Sequence, residues 1–364
     1  MSDPLVLELR APIPSDLRSD VAHCRAMIRT GSRSFFMASQ LLPSSFQDAV
    51  YALYAFCREA DDAIDDGPDP HEGLAIFERR LAAVYSGTPD NAVDRVLARV
   101  VENYGLPREL LEALLQGFAW DAGARSYKDL GSVYGYSVRV AGSVGIMMAI
   151  LMGVRDAHLL ARAADLGVAM QLTNIARDVG EDARNGRVYL PSRWLREVGL
   201  SPAQLVRNPE FTPALGQVVQ RLLSAAECLY CRADSGIAGL PRRFRPGIYA
   251  ARRLYAGIGH ELLRRGSDSV SRRTVLSFSA KALLTLKAIG PIRHNPALRP
   301  VEPLPQVRYL LRAVDAISDK DWVSPGSLDE TGDIEWILGL IGKLEHRDRE
   351  ANPVSSGVSS GVAS

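Results

Sequence analysis

The chain has 364 residues, of which 47% are hydrophobic and 23% are charged, and its formal net charge is +1. This composition is typical of a globular protein with one large domain or two small ones. The near-neutral charge, without a basic run interleaved with aromatic residues, argues against a nucleic-acid partner. The N-terminus lacks a basic start followed by an apolar core, so the sequence predicts no signal peptide and a cytoplasmic location.

Proline and glycine residues divide the chain into blocks of helical length, and alternating strand patterns are scarce, which predicts an all-α protein. The predicted regions are an N-terminal extension (1–19), one helical domain (20–290), a proline-rich connector with C-terminal helices (291–349) and a disordered tail (350–364). Within the connector region, two weaker helical patterns lie near 305–317 and 331–346. The longest apolar run, 138–154, is shorter than the ~20 residues that cross a bilayer and predicts a buried core helix.

The first acidic stretch, 58–66, follows a strongly apolar segment and places Asp61 and Asp65 four residues apart. At ~3.6 residues per turn, the two carboxylates share one helix face, where like charges repel by a few tenths of a kcal/mol. A hard divalent cation would offset this repulsion, because Mg²⁺ binds one or two carboxylates together with substrate phosphates. The alternative is a solvated acidic surface, which the apolar flank disfavours.

The second acidic stretch continues a polar stripe along an otherwise apolar helix. Its positions are Gln171, Asn174, Asp178 and Asp182, at steps of three, four and four. A polar stripe within an apolar helix is more typical of a cavity wall than of an outer surface. Two such acidic faces, opposed across a helical cavity, would hold a diphosphate between them through bridging metal ions.

Five blocks of the sequence resemble the squalene/phytoene synthase family of head-to-head prenyl transferases, and within it the bacterial phytoene synthases. The blocks are GSRSFF at 31–36, YAFCREADDAIDD at 54–66, YSVRVAGSVG at 136–145, QLTNIARDVGED at 171–182 and RVYLP at 187–191. The resemblance covers about residues 20 to 290 and implies a single helical domain of the isoprenoid synthase type around a central cavity. It also implies that two allylic diphosphates bind there, with Mg²⁺, or Mn²⁺ in its place, on the two aspartate motifs.

By position, the resemblance assigns roles to individual side chains. Metal binding falls to Asp61, Asp65, Asn174, Asp178 and Asp182. Substrate diphosphate is assigned to Ser32, Ser34, Arg58, Gln171, Arg177 and Arg272, although Arg273 could serve equally. Tyr54, Tyr136, Tyr189 and Tyr255 are expected near the reacting groups, and Val140 and Gly145 near the isoprenoid chains, with core packing as the alternative for each.

Two departures from the family pattern affect these assignments. Ser137 stands where many relatives carry cysteine, and the block 121–127 contains an insertion between Arg125 and Tyr127. Asp121 and Arg125 therefore receive no role from the resemblance.

The implied reaction joins two geranylgeranyl diphosphates to phytoene through a cyclopropylcarbinyl diphosphate, releases diphosphate and needs no NADPH. One alternative is a squalene or dehydrosqualene synthase acting on farnesyl diphosphate. Another is a non-catalytic helical relative that serves in assembly or binding, which the retained aspartates and arginines disfavour. Because substrate and product are lipids, we expect peripheral contact with the inner face of the cell membrane, and contact with other carotenoid-pathway enzymes.

Overall fold

A computed structural model of the chain describes residues 13–31, 36, 39, 40, 42, 44–65, 69–123, 125–288 and 294–317; at 44, 45 and 65 it describes the backbone alone. Every regular element in these ranges is a helix, which confirms the all-α prediction. The predicted helical pattern near 331–346, the tail and most of the N-terminal extension lie outside the described residues.

Fifteen α-helices follow one another in the described residues. The first seven are α1 (Arg18–Gly31), α2 (Ser44–Asp65), α3 (Pro70–Ser86), α4 (Ala92–Tyr104), α5 (Arg108–Ala122), α6 (Leu130–Ser137) and α7 (Ser143–Leu151). The other eight are α8 (Ala157–Arg177), α9 (Val179–Arg184), α10 (Ser192–Glu197), α11 (Pro202–Arg207), α12 (Pro213–Ile237), α13 (Arg245–Arg264), α14 (Phe278–Lys287) and α15 (Arg308–Asp315).

The helices begin and end where the sequence provides capping groups. The Asp69 side chain accepts the His71 N–H before Pro70 at the start of α3, and the Thr212 side chain caps α12 in the same way ahead of Pro213. At these positions proline loses nothing, because the first N–H groups of a helix have no partner within the helix. Gly105 ends α4 with a φ of 53°, a left-handed conformation that other residues rarely adopt.

Helix α8 occupies the centre of the domain and packs against α7, α12 and α13. Two glycines, one on α7 and one on α8, allow α8 to approach α7 and the turn before it closely. A methyl group on Gly145 would lie 2.3 Å from the Ala163 carbonyl oxygen, and one on Gly167 would lie 2.2 Å from that of Ala141. Any side chain at either position would push the two backbones apart, so the small residues set the spacing of the helices.

Helices α6 and α7 are joined by a π-helical turn, Val138–Gly142, in one continuous rod. By length and composition alone this rod, Leu130–Leu151, could cross a membrane, but 61% of its apolar window is buried inside the protein. It therefore lies where the sequence predicts a core helix. Turns of this kind are frequent at functional sites, because they redirect the side chains around them.

An ion-pair network fixes the position of α2, which carries the first acidic motif. Arg80 on α3 lies 2.6 Å from Glu59 of α2 and 2.8 Å from Asp94 of α4. The Asp94 side chain is almost completely buried, and Asn91 Nδ2 also donates to it, at 2.6 Å. Removing Arg80 would leave this buried carboxylate without its charged partner and loosen α2.

After residue 293 the chain packs on the domain as a strap, residues 294–317, which we call the C-terminal strap. It consists of two 3₁₀ turns, Pro296–Leu298 and Pro305–Val307, followed by α15. The side chains of Val307, Leu310 and Val314 are buried against the domain. The helix predicted near 305–317 is therefore present, and it belongs to the same compact unit as the preceding helices. The domain boundaries predicted from sequence remain predictions.

Candidate active site

A cavity of about 590 Å³ lies between the helices and is lined by α2, α5, the α6–α7 rod, α8, α12 and α13. Its lining is polar at one end, where Asp61, Asn174 and Tyr255 meet, and largely apolar elsewhere. Along α8 the lining runs from Asn174 to Leu159, which at ~1.5 Å per residue is ~22 Å. The volume is within the usual range for a ligand cavity of about 300–1,000 Å³.

The first acidic motif lies at the polar end of this cavity. Tyr54, Arg58 and Asp61 all line it from α2. The Arg58 guanidinium lies 3.7 Å from Asp61 and donates to Asp62 at 3.0 Å, so it is held beside both carboxylates. Burial raises the pKa of the Tyr54 phenol, which therefore stays protonated at neutral pH. The backbone of Asp65 continues the same helix, whereas its side chain, like Ser32 and Ser34, lies outside the described residues.

The second motif contains a helix break that the stripe of polar residues does not predict. Helix α8 ends at Arg177, and Asp178 links it to the short helix α9. The reason is a tertiary contact: the Gly180 N–H donates to the Ser269 carbonyl at 3.1 Å. A methyl group on Gly180 would lie 2.6 Å from the Val270 backbone, so only glycine permits this approach. Gln171 and Asn174 thus lie on α8, whereas Asp182 lies on α9.

The amide oxygen of Asn174 has no protein partner within the described part of the chain. Gln171 and Asn174 both line the cavity, and Asn174 Nδ2 lies 3.4 Å from Gln171 Oε1. Asn174 Oδ1 is buried and has no hydrogen-bond partner among the described residues. A buried oxygen without a partner costs ~1–3 kcal/mol, a cost that a bound cation or donor group would remove.

Two arginines hold the Asp178 carboxylate. Arg177 Nε and Arg273 Nε each donate to Asp178 Oδ1 at 2.8 Å, and Arg273 also lies 3.6 Å from Glu181. Both Arg272 and Arg273 are exposed, but the charge of Arg272 acts on Asp268. Of the two candidates that the sequence offers, Arg273 therefore reaches the acidic motif. The charges on Arg177, Asp178 and Arg273 also act on the half-buried Tyr255.

Carboxylates crowd around Asp182. Burial, followed by the charges of Asp178 and Glu181 and more weakly that of Asp121, raises the pKa of Asp182 to about 8, and Arg187 opposes this. Burial is the larger cause, and the neighbouring carboxylates add to it. A cation bound beside these carboxylates would favour the charged form of Asp182.

A tyrosine pair and one aspartate form a second polar cluster, which joins α5, α6 and the loop after α9. Asp121 accepts a hydrogen bond from Tyr136 at 2.8 Å and another from Tyr189 at 2.7 Å. The two rings stack with centroids 4.9 Å apart, and Tyr127 stacks on Tyr189. Asp121 and Tyr136 line the cavity, whereas Tyr189 lies behind them. The sequence reasoning left Asp121 without a role; its place one turn after the apolar residue Phe118 on a cavity helix is the signal that could have found it.

The remaining predicted residues divide between the wall and the surroundings of the cavity. Val140 and Gly145 line the apolar wall on the α6–α7 rod. The structure does not bring Arg272 to the site, and Arg125 stacks on Trp120, 3.7 Å from the ring centroid. Tyr54 and Tyr255 both line the cavity, and the charges of the first motif act on Tyr54 whereas those of the second act on Tyr255.

The residues at the polar end fit a hard cation that also binds a diphosphate. Within the described ranges no three His, Cys, Asp or Glu side chains form a metal cluster by themselves. Mg²⁺ does not need one, because it usually takes one or two carboxylates and completes its shell with phosphate oxygens and water. The donors present are carboxylates and the unpartnered amide oxygen of Asn174, all hard oxygen ligands. Asp61, Asn174, Asp178 and Asp182 are therefore the side chains that would hold it.

Comparisons with known proteins agree with this geometry. Residues 28–280 match the squalene/phytoene synthase family. The chain is 44% identical to a phytoene synthase of Cereibacter sphaeroides over 348 residues, covering 91% of this chain and 95% of the relative. It is 45% identical to a phytoene synthase of Rhodobacter capsulatus over 341 residues, covering 91% of this chain and 97% of the relative. A crystal structure of a dehydrosqualene synthase in complex with ligand superposes with a TM-score of 0.70 at 30% identity, covering 75% of this chain and 96% of that one.

Proposed function

Because this chain belongs to the squalene/phytoene synthase family, we propose that it condenses two geranylgeranyl diphosphates head to head to phytoene. The reaction passes through a cyclopropylcarbinyl diphosphate and releases diphosphate, as a step of carotenoid biosynthesis. The observation that supports the proposal is the long apolar cavity, whose lining includes Asp61 of the first motif and Gln171 and Asn174 of the polar stripe that leads to the second. The two phytoene synthases that align with most of the chain support the same product.

The length of the cavity favours a C20 substrate over a C15 one. An extended isoprenoid chain advances roughly 5 Å per unit, so four units need ~20 Å and three need ~15 Å. The lining of α8 from Asn174 to Leu159 spans ~22 Å. A geranylgeranyl chain with its diphosphate beside Asn174 would therefore span the length of the cavity, whereas a farnesyl chain would not reach its far end.

The polar end is built to hold a diphosphate and help it leave. Bound Mg²⁺, or Mn²⁺, supplies positive charge that makes the diphosphate a better leaving group. Arg58, Arg177 and Arg273 add fixed positive charge at the same end, where the negative charge grows as the bond to carbon breaks. These arginines pair with aspartates in the described structure, and we propose that they turn to the diphosphate when it binds.

The apolar wall protects the allylic cation that remains after diphosphate departs. Water would capture this cation, so the surrounding surface has to exclude it. Val140, Val144 and Met148 repeat along the rod at helical spacing and line the cavity, and Met170 faces it from α8. The last cation loses a proton to give the hydrocarbon, so the site needs only a weak base and no nicotinamide.

One assay tests the proposal: purified protein is incubated with Mg²⁺ and geranylgeranyl or farnesyl diphosphate, with and without NADPH, and the hydrocarbon is identified. We expect phytoene from geranylgeranyl diphosphate at a rate that NADPH does not change. Faster use of farnesyl diphosphate, or a reduced product with NADPH, would establish the squalene-type alternative. A folded protein that turns over neither substrate would be the non-catalytic relative.

We also propose that the protein contacts the inner face of the cell membrane through α14. This helix has no buried residue, and Phe278, Leu283 and Leu286 are 42%, 52% and 50% exposed. Lys281 and Lys287 lie on the same helix and would meet anionic headgroups. The substrate and product both partition into lipid, which supports this surface as the place where they enter and leave. Contact with other carotenoid-pathway enzymes stays a prediction.

Vesicle sedimentation tests the membrane surface. Replacing Leu283 and Leu286 together by serine should lower the fraction bound to anionic vesicles, whereas Ile76→Ser, on an exposed position of α3, should not. High salt should release the wild-type protein. Binding that resists both salt and carbonate, or binding equal in all variants, would contradict a peripheral contact through α14.

A further inference from the structure

A buried arginine lies at the end of the cavity farthest from the acidic motifs. Arg162 lines the cavity from α8, between Leu159 and Ala163, and its side chain has no exposed surface. Its distance from Asn174 along the helix is ~18 Å, so the last unit of a ~20 Å C20 chain would lie beside it. A residue there lies near the hydrocarbon tail of a bound substrate and far from its diphosphate.

The C-terminal strap supplies most of the partners of Arg162. Arg162 Nη1 donates to the backbone carbonyls of Leu298, Arg299 and Val301, at 2.8, 3.2 and 2.9 Å. On the other side, Arg162 Nε lies 2.8 Å from Asp165. A buried cation needs such partners, since without them it would carry a desolvation cost of several kcal/mol.

A second arginine holds the same part of the strap. Arg232 on α12 donates to Asp165 at 2.9 Å and to the Glu302 carbonyl at 2.9 Å. Arg232 does not line the cavity, so it can act there only through Asp165 and the strap. The two arginines and Asp165 thus clamp residues 298–302 to α8 and α12.

The helices leave no spare room at this end. A methyl group on Gly236 of α12 would lie 2.2 Å from Arg162 Cβ, so the two helices touch at this point. Arg299 of the strap reaches back to the Ser235 carbonyl at 3.3 Å. Arg162 is therefore packed between α12 and the strap at this end of the cavity, within one turn of Leu159, where the α8 lining ends.

We propose that Arg162, fixed by the C-terminal strap, forms the floor that sets the length of the isoprenoid cavity and so restricts the substrate to C20. The inference rests on the proposed function. The strap lies after residue 280, where the family match ends, so the carbonyls that hold Arg162 come from outside the matched segment. The two phytoene synthase relatives align with 91% of the chain, which must include residues after 280, because the residues up to 280 make up less than that share.

The experiment compares kcat/KM for the C15, C20 and C25 diphosphates in three variants. Arg162→Ala removes the floor and should raise the C25 to C20 ratio at least ~10-fold, since pocket contacts to a single methylene already discriminate by ~10–200-fold. Arg232→Gln loosens the clamp without touching the cavity and should raise the same ratio by a smaller factor. Arg264→Ala, an exposed arginine on α13, should leave it unchanged.

Different outcomes separate this inference from the proposed function. If wild-type protein does not use the C20 substrate, the proposed function is wrong. If it does, but the C25 to C20 ratio is the same in Arg162→Ala and Arg232→Gln as in wild-type, the floor does not set chain length and the inference falls. Should Arg162→Ala fail to fold on circular dichroism, the ratio in Arg232→Gln decides alone, with Arg162→Lys expected to retain most of the C20 preference.

Discussion

The guanidinium of Arg273 lies against the carboxylate of Asp178, with Nε 2.8 Å from Oδ1 and Nη2 3.2 Å from Oδ2. Arg177 holds the same carboxylate from its own side, so both oxygens of Asp178 are already paired. A metal ion and a diphosphate together offer each group a new partner: the cation for the aspartate, and the phosphate oxygens for the arginines. In the described structure the two arginines neutralise the charge of Asp178.

The contact with Asp178 distinguishes Arg273 from its neighbour Arg272. Arg273→Gln removes the guanidinium that reaches Asp178 and should lower kcat/KM by ~10–100-fold, because a fixed positive charge is lost beside the leaving group. Arg272→Gln makes the same chemical change on an exposed side chain and should have little effect. Steady-state kinetics on both variants gives the comparison. A larger loss in Arg272→Gln would show that Arg272 is the phosphate ligand after all.

The aspartates of the two motifs should matter for turnover and not for folding. Asp61→Asn and Asp178→Asn keep the size of the side chain but remove a charge that the cation needs, so we expect a loss of at least ~100-fold in kcat. The helical signal should persist, because Asp61 and Asp178 are not buried in the apolar core. Turnover and circular dichroism on the same samples provide the check, and a loss of helicity would mean that the aspartates are structural.

Features that depend on residues close together in the sequence can be predicted from the sequence alone. The helical period, the capping prolines and the pairing of Asp61 with Asp65 on α2 are local features, and the all-α fold follows from them. The break after Arg177 could not be predicted in this way, because it depends on Gly180 meeting the Ser269 carbonyl from a distant part of the chain.

Contacts with distant residues also explain the other points at which the site differs from the sequence prediction. Arg272 and Arg273 lie in an irregular segment, where neighbouring side chains point in different directions, so sequence alone gives them equal weight. Asp121 gains its place from two tyrosines that come from separate segments. The strap has the proline content of a linker, yet its carbonyls are bound by Arg162, a contact that no local pattern reveals.

Removal of divalent cations should abolish turnover. The donors at the polar end are oxygen atoms without His or Cys among the predicted metal ligands, so Mg²⁺ or Mn²⁺ should restore activity after chelation. The measurement is turnover after exhaustive EDTA treatment and again after each metal is added. Undiminished activity in the chelated sample would end the metal-dependent mechanism, whereas restoration by Zn²⁺ alone would point to a different ligand set.

The raised pKa of Asp182 should make the stability of the metal-free protein depend on pH. Burial and the neighbouring carboxylates raise this pKa from 3.8 to about 8, so between these values the folded protein holds a proton that the unfolded chain has released. The stabilising contribution is complete below about pH 4 and is lost as pH rises through 8. Thermal unfolding in EDTA at pH 6 and pH 8.5 should show a smaller decrease for Asp182→Asn than for wild-type. Equal decreases would mean that Asp182 does not titrate in this range.

The last prediction concerns the two phenols that share Asp121. Burial, followed by the charge of Asp121, raises the pKa of Tyr136 well above its usual range, so the hydroxyl is a neutral donor at any working pH. Tyr136→Phe and Tyr189→Phe each remove one hydrogen bond to the same carboxylate, which should cost ~1.5–3 kcal/mol of stability in either case.

Their effects on turnover should differ, because Tyr136 lines the cavity and Tyr189 lies behind it. We expect Tyr136→Phe to lower the rate of phytoene formation at least ~10-fold, the size typical of a lost electrostatic or proton-transfer contact in the transition state. Tyr189→Phe should have a smaller effect, and it serves as the matched control for the lost hydrogen bond. Equal losses in the two variants would show that both phenols act only by holding Asp121, and the rate of Asp121→Asn should then fall by at least as much.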